Sequence, residues 1–471
     1  MEEGWEFREL QGVNLGDRRR VKTAASVLSL TYQNPTVSLS ASLGGKRQAA
    51  GDLFQHKLVN PGSLMAGHYM ATRERCTEHE VVLVAQDTTY FVYKQPHIKD
   101  LGPVNGSSKS LGLMAHSACA LSEEGCPLGI ASLAFWGKAS EELPEPEDRD
   151  ENERESSRWR DTMDHVAQVM PKTSQVIVIA DREGDTYGLL AAKRDANVHF
   201  LIRLCQNRRA ITCADDPSEA EAKRLKTIVA EAPVLGIHSV IIPRKSASPK
   251  EKAAKARTAR LEMRAARVKV QRPAIRAVDR ELEAKNPKPK EVEVTVIQAL
   301  EIEAPEGETP ICWMLLTDLV VEDLETAALQ VTRYTRRWEI ERLHYTLKSG
   351  LNSERLQIDD ANSLANCLSL YYIVAWRLLH MTHLSRIAPE TPAAEVFDED
   401  EIAVLQAKSQ KKIETVGQAV KEVARPAGHE YYRKGRPPGV KRLWMGLHLL
   451  GLMAEGWRLA REMYRAAETE K

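Results

Sequence analysis

Two short apolar runs constrain this chain more than anything else in it: Val81-Val82-Leu83-Val84-Ala85 and Gln175-Val176-Ile177-Val178-Ile179-Ala180. Neither alternates with polar residues, so each reads as a strand covered on both faces. Each runs into an aspartate, through Gln86-Asp87-Thr88-Thr89 in the first case and Asp181-Arg182-Glu183-Gly184-Asp185 in the second. A third run, Val198-His199-Phe200-Leu201-Ile202, ends at Arg203. Residues 113–121 and 128–136 are also strand-like, and Ser122-Glu123-Glu124-Gly125 between them is a hairpin turn. With helices expected at 156–170 and 187–195, the order predicts an α/β fold: hairpin-connected strands, then helix, strand, helix, strand.

Length allows about three domains in the 471 residues. Lys and Arg number 66 and so do Asp and Glu, which leaves no net charge, so any basic surface must be local. The seven cysteines form no C-x-x-C pair, which argues against a disulfide framework or a zinc site and fits a reducing cytoplasm. The start, MEEGWEFREL, has no apolar stretch of the kind a signal peptide needs. No run reaches the ~18 apolar residues of a membrane span. A cytoplasmic protein without a membrane partner is expected.

Residues 1–70 read as helical. Leu15-Gly16-Asp17-Arg18-Arg19-Arg20 opens one helix, and arginines such as Arg19 and Arg20 at a helix start suit phosphate contacts. A second helix is expected over 45–59, stopped by the turn signal Asn60-Pro61-Gly62. The acidic stretch 141–155 reads as a solvated loop. Between 206 and 318 the alternation of strand and helix gives way to a mostly β insertion. Within it, residues 244–276 hold twelve Lys and Arg against two Glu, a net of +10; Leu261-Glu262-Met263 and Val268-Lys269-Val270 alternate like strands, and the run reads as a flexible basic loop able to hold a polyanion. Residues 362–386 predict an amphipathic helix, 425–440 a Pro- and Gly-rich basic linker, and 441–467 a last helix. That helix carries a stripe of Leu443, Leu447, Leu450, Ala454 and Trp457, which suits either core packing or a dimer interface. His380 and His383 read as ordinary core or surface histidines.

Residues 320–350 read as one long helix with acids in its first turn and Gly350 at its end. Tyr334, Arg337, Glu341 and Lys348 fall on one side of it, within about 60° of one another at roughly 100° per residue. Ile340, Leu343 and Leu347 fall on the other. Taken alone, that is an ordinary solvated helix face. Beside Asp87 and Asp181 it means more, because three converging carboxylates require a cation. Hard oxygen donors favour Mg²⁺ or Mn²⁺, and a pair of such ions about 4 Å apart serves in-line displacement at phosphorus. Arg337 and Lys348 would then hold flanking phosphates.

These residues in this order resemble the DDE transposases of bacterial insertion sequences, of the insertion-sequence-four family and its Y-R-E-K subgroup. Tyr334, Arg337, Glu341 and Lys348 carry the Y-R-E-K spacing, while Asp87-Thr88-Thr89 and Asp181-Arg182-Glu183-x-Asp185 resemble the two aspartate motifs. The resemblance implies an RNase H-like mixed-sheet catalytic core interrupted by the β insertion. Its expected layout is a helical DNA end-recognition domain at 1–70, the catalytic domain at 71–360 with the basic insertion at 206–318, and a helical dimerisation domain at 361–471. It implies Asp87, Asp181 and Glu341 as catalytic and metal-binding residues, with two Mg²⁺ or Mn²⁺ ions per site. It assigns DNA contacts to Tyr334, Arg337, Lys348, Arg203, Arg19 and Arg20, and base stacking to Trp313. The implied activity is cut-and-paste transposition on double-stranded DNA. A homodimer would excise the element from its inverted-repeat ends by hydrolysis and hairpin formation, then join the 3′ ends to target DNA, associated with the nucleoid when DNA-bound. The alternative is a DNA-binding protein or structure-specific nuclease derived from a transposase, without strand transfer. The basic insertion is longer than the family pattern leads one to expect.

Overall fold

The computed structural model describes residues 4–94, 98–104, 107–137, 147–213, 221–242, 256–429 and 437–469. Parts of the acidic stretch (141–146), the basic run (244–255) and the Pro- and Gly-rich segment (430–436) lie outside the described residues. In chain order the elements begin with α1 (Trp5–Glu9), α2 (Arg18–Gln33), α3 (Leu39–Leu43), α4 (Arg47–Gln55) and α5 (Pro61–Cys76). There follow β1 (Val81–Val92), β2 (Gly102–Val104), β3 (Ser107–Ser122), β4 (Pro127–Trp136), α6 (Ser157–Val169), β5 (Gln175–Ala180), α7 (Tyr187–Leu190) and β6 (Val198–Arg203). The insertion contributes β7 (Arg209–Thr212), β8 (Lys223–Arg224), α8 (Leu225–Glu231), β9 (Val234–Ile242), β10 (Arg257–Gln271), α9 (Arg280–Lys285), β11 (Glu291–Ile302) and β12 (Cys312–Thr317). The chain closes with α10 (Leu324–Thr335), α11 (Trp338–Tyr345), α12 (Ala361–Ile387), α13 (Glu399–Ser409), α14 (Val416–Ala424) and α15 (Val440–Thr469). Among the described residues no helix is long and apolar enough to cross a membrane.

The chain divides into two compact units. One comprises 80–87 and 143–338, built on a mixed sheet ordered β1-β5-β6-β12-β11-β10-β7-β8, with β9 also pairing with β10. β1, β5 and β6 run parallel, and the strands beyond them are antiparallel. The two strand-like stretches of the basic run, Leu261-Glu262-Met263 and Val268-Lys269-Val270, both lie in one strand. β10 takes up residues 257–271, and its arginines meet acids of β11 and of the residue that follows it: Arg267 pairs with Glu293 at 2.8 Å, Arg257 with Glu301, and Arg260 with Glu303 at 2.6 Å.

The other unit comprises 1–79, 88–142 and 339–471 and is arranged around α12. This helix was expected to be amphipathic, yet it is buried on every side, touching α2, α4, α5, α14 and β4. Its sequence explains the difference: LSLYYIVAWRLL offers no continuous polar face, and a helix apolar all round belongs in a core. Some buried polar groups on it find partners in the surrounding backbone, the Asn366 amide nitrogen donating to the Phe54 and Val59 carbonyls and the Trp376 indole to the Pro127 carbonyl.

Four further expectations are corrected. Asn60-Pro61-Gly62 opens a helix and does not stop one: Asn60 caps α5 through a capping box and Pro61 takes its first turn, where a missing N–H costs nothing. The helix expected over 45–59 is confined to α4, with a 3₁₀ turn at Gly44–Lys46 before it. The helix after Asp185 is only α7, four residues long. Finally, the long helix at 320–350 is two helices followed by a π turn at Thr346–Gly350.

α1, α5 and β4 are tied by a buried cluster. The Glu9 carboxylate lies 2.5 Å from His68 Nδ1 and 2.8 Å from an Arg75 nitrogen, and His68 Nε2 accepts from the Ile130 amide. Nε2 being the acceptor, the ring proton is on Nδ1, toward Glu9. Gly67 permits the approach, since a Cβ there would come within 2.7 Å of the Glu9 carbonyl oxygen. Burial alone would raise the Glu9 carboxyl, but His68 and Arg75 outweigh it and hold it at about 2, below its ordinary 4.5. Because the folded value is depressed, this stabilisation is complete above pH 4.5 and disappears as pH falls toward 2. Glu9→Gln should cost about 3 kcal/mol in urea unfolding at neutral pH and flatten the acid limb of the stability curve. An unchanged acid limb in the variant would assign it to another group.

Candidate active site

The register of the parallel strands sets out the polar row. β1 pairs with β5 from Val81↔Gln175 to Ala85↔Ile179, so the same offset carried two residues further brings Asp87 opposite Asp181. β5 pairs with β6 up to Ala180↔Ile202, and one further step brings Asp181 opposite Arg203. Arg203 is itself paired with Leu315 of β12. Residues in register share a face of the sheet, and neighbouring strands lie about 4.8 Å apart. Asp87, Asp181 and Arg203 therefore form a line across three adjacent strands. Trp313, two residues from Leu315 on the antiparallel β12, shares that face and lies one step beyond the row, toward the carboxyl ends of the parallel strands.

Asp87 does not terminate its strand, as the sequence had suggested. β1 runs on to Val92, its burial changing from continuous to alternating at Asp87. Asp181 keeps an extended backbone, and its Oδ1 accepts from the Glu183 amide at 2.8 Å, capping the 3₁₀ turn Arg182–Gly184. Gly184 is required there, because a Cβ would come within 2.6 Å of the Ala180 side chain and 3.2 Å of the Trp159 ring.

Tyr334 and Arg337 reach the row from the end of α10. That helix starts from an Asp323–Thr326 capping box and ends where the Arg336 and Arg337 amides bond to the Arg333 and Tyr334 carbonyls, each at 3.0 Å. These i→i−3 bonds close the helix tightly. They leave the Arg337 guanidinium 3.6 Å from the Asp87 carboxylate. Burial pushes the Tyr334 phenol above its ordinary value, an effect that Arg337 and Arg203 oppose and Asp181 reinforces. Trp313 is half-buried, unlike a core tryptophan, and its ring centre is 6.4 Å from that of Tyr334. Sequence reasoning passed over Trp338, which is 59% exposed with the Arg337 guanidinium 5.5 Å from its ring centre.

The remaining residues belong to the other unit. Glu341 lies on α11, which buries Ile340 and Leu343 on its apolar side, as expected. Its neighbour Glu339 is held by His383 at 2.7 Å and Arg342 at 3.2 Å. Lys348 sits in the π turn, its ammonium donating to the Tyr90 carbonyl at 2.6 Å and standing 3.8 Å from Glu354. Burial lowers the affinity of that amine for its proton, and Glu354 opposes the shift. At the start of α2, Arg19 is exposed beside Asp17, whereas Arg20 donates to the Leu15 carbonyl at 2.8 Å and so shapes the turn itself.

Among the described residues no group of three or more His, Cys, Asp or Glu side chains stands at metal-holding distance. Two aspartates on adjacent strands nonetheless fit a hard divalent cation. Mg²⁺ keeps several waters and is commonly bound by one or two carboxylates together with substrate phosphates.

Two family models match the chain. Residues 148–376 match the transposase DDE domain, and residues 373–467 match the transposase Tn5 dimerisation domain. Asp181, Arg203, Trp313, Tyr334, Arg337, Glu341 and Lys348 lie within the first match, and Asp87 precedes it. The matches run on from one another over more than half the chain and place it among the DDE transposases, enzymes of metal-dependent DNA cleavage and strand transfer.

Proposed function

We propose that this chain is a cut-and-paste transposase of the insertion-sequence-four family, Y-R-E-K subgroup, acting on the inverted-repeat ends of a mobile element. The observation that carries the proposal is the row Asp87, Asp181, Arg203, with Trp313, Tyr334 and Arg337 gathered on it. Asp87, Asp181 and Glu341 would hold two Mg²⁺ or Mn²⁺ ions. Such ions, when bound, lower the pKa of a water and stabilise the leaving oxygen of an in-line displacement.

The chain's own groups do the positioning. Arg203, Arg337 and Lys348 hold phosphates beside the carboxylates, with Tyr334 between them, and the Trp313 face receives a flipped base. Arg19 and Arg20, in an end-recognition domain at 1–70, contact the terminal repeat. Water nicks one strand at each end, the freed 3′-hydroxyl attacks the opposite strand to form a hairpin, and a second water opens it. The 3′-hydroxyl then joins target DNA. Each step is a displacement at phosphorus, so one site performs all of them, and the protein is nucleoid-associated while it does so.

A metal-dependent assay on an end-containing duplex tests this reading. Asp87→Asn, Asp181→Asn and Glu341→Gln should each reduce hairpin formation by about 10²-fold or more. Hairpins at the wild-type rate from any of them would remove that residue from the site. Cleavage without joined products would favour a structure-specific nuclease, and binding without cleavage a DNA-binding derivative.

Trp313→Ala should cut the hairpin step roughly 5- to 150-fold, the equivalent of losing one base stack. Nicking of the first strand should change much less. Equal losses in both steps would make Trp313 a packing residue.

Assembly as a homodimer on DNA is proposed for the segment that matches the dimerisation domain. α15 exposes Leu452, Leu459, Met463 and Tyr464, a run of apolar side chains that a partner copy would cover. Leu459→Glu with Met463→Glu should leave the end complex at one protomer by light scattering. A complex still holding two protomers would place the interface elsewhere.

A further inference from the structure

Asp185, four residues past Asp181, is a fully buried carboxylate that the chemistry above does not use. Burying such a group without partners would be costly, and its partners are all backbone or charge. Oδ2 accepts from the amides of Cys205 and Gln206, each at 2.6 Å. Arg208 donates to Oδ1 and, through its second terminal nitrogen, to the Asp185 carbonyl at 2.6 Å. These donors all fall within five residues after Arg203. The intervening Leu204 amide is held from the opposite side by the Met314 carbonyl at 2.8 Å. The chain leaving β6 is thus gripped from β12 and from the Asp185 turn together, at the point where the insertion departs from the core. Arg208 passes the grip into the insertion, since its carbonyl accepts from the Leu225 amide at 3.0 Å.

We infer that Asp185 is a positioning residue for DNA binding. By fixing residues 204–208 it fixes Arg203 next to Asp181 and Tyr334, in the place where a phosphate is to be met. This rests on the reading of Arg203 as a DNA contact. Asp185 touches neither the DNA nor an ion. Its effect passes through Arg203, so its removal should matter only while Arg203 is present.

A double-mutant cycle on affinity for an end-containing duplex tests this, using the full chain as wild type, Asp185→Asn, Arg203→Ala and the double variant. Asp185→Asn should weaken binding roughly 10-fold, as expected for loss of hydrogen bonds to a charged group. The double variant should bind no more weakly than Arg203→Ala. Mn²⁺ affinity of the DNA-free protein should stay at the wild-type value. If Arg203→Ala binds as wild type, the reading of Arg203 falls and the inference with it. If Arg203→Ala is weak while Asp185→Asn binds as wild type, or if the two losses multiply, the inference alone falls. A parallel loss of Mn²⁺ affinity would likewise overturn it in favour of a general structural role. Should Asp185→Asn fail to fold, Arg208→Gln leaves the two amide bonds in place and enters the same cycle with the same outcomes.

Discussion

The parallel pairing of β1 with β5 and of β5 with β6 is the constraint on which the polar chemistry of this chain depends. Over 82–85 and 176–180 these strands are buried on both faces, so no ionisable side chain can be carried there. Charged residues become tolerable only where that burial ends, and the register makes it end together at Asp87, Asp181 and Arg203. A slip of one residue would turn an aspartate to the opposite face of the sheet. A slip of two would move it by about 6–7 Å, beyond reach of a shared cation. Apolar packing along the strands, remote from the chemistry, therefore sets the spacing of the carboxylates.

That spacing has an electrostatic cost. Two carboxylates about 5 Å apart repel by roughly 3 kcal/mol at an effective dielectric of 20. Arg203 in the row and Arg337, 3.6 Å from Asp87, offset it. A phosphodiester approaching Asp87, Asp181, Arg203 and Arg337 meets as many carboxylates as guanidinium groups. On the proposed reading its affinity turns on the positive charge a divalent ion would supply when bound, which would link binding of the substrate to readiness for the chemistry. Tyr334 fits the same logic: a phenol is neutral at ordinary pH, and burial pushes it further from ionising, so it can line this crowded set of charges without adding to either sign.

Much of this was legible in the sequence, and the failures have physical causes. β5 and β6 were readable as apolar runs because burial on both faces leaves no alternation to confuse. β1 was cut short at Asp87 because Gln86-Asp87-Thr88-Thr89 is polar, yet Thr89 and Phe91 are buried on one side while Thr88, Tyr90 and Val92 are less so. The strand had changed from a two-sided to a one-sided environment. The break between α10 and α11 had no sequence signal, since neither glycine nor proline lies between Tyr334 and Trp338. It comes from a change to i→i−3 bonding. The helical-wheel argument that set Tyr334, Arg337, Glu341 and Lys348 on one side assumes one continuous helix, which the chain does not form there. The Asp185 clamp lay beyond any sequence pattern, because its partners twenty residues later are mostly backbone amides.

The insertion shows why charge counted along a chain differs from charge in a fold. Residues 244–276 carry a net of +10, which on the sequence alone favours a polyanion. In the described part, β11 lies antiparallel to β10 and brings Glu293, Glu301 and Glu303 against Arg267, Arg257 and Arg260, while Glu283 meets Arg272. The more exposed of these pairs, Arg260–Glu303 and Arg267–Glu293, add little to stability, commonly under about 1 kcal/mol each, but together the pairs remove the long-range field that a row of unpaired arginines would project. An unpaired basic strand would hold any DNA along its length, whatever lay at the catalytic row. With β10 neutralised by its neighbour, its arginines would compete less for DNA against Arg203 and Arg337, the residues proposed to hold a phosphate beside the two carboxylates.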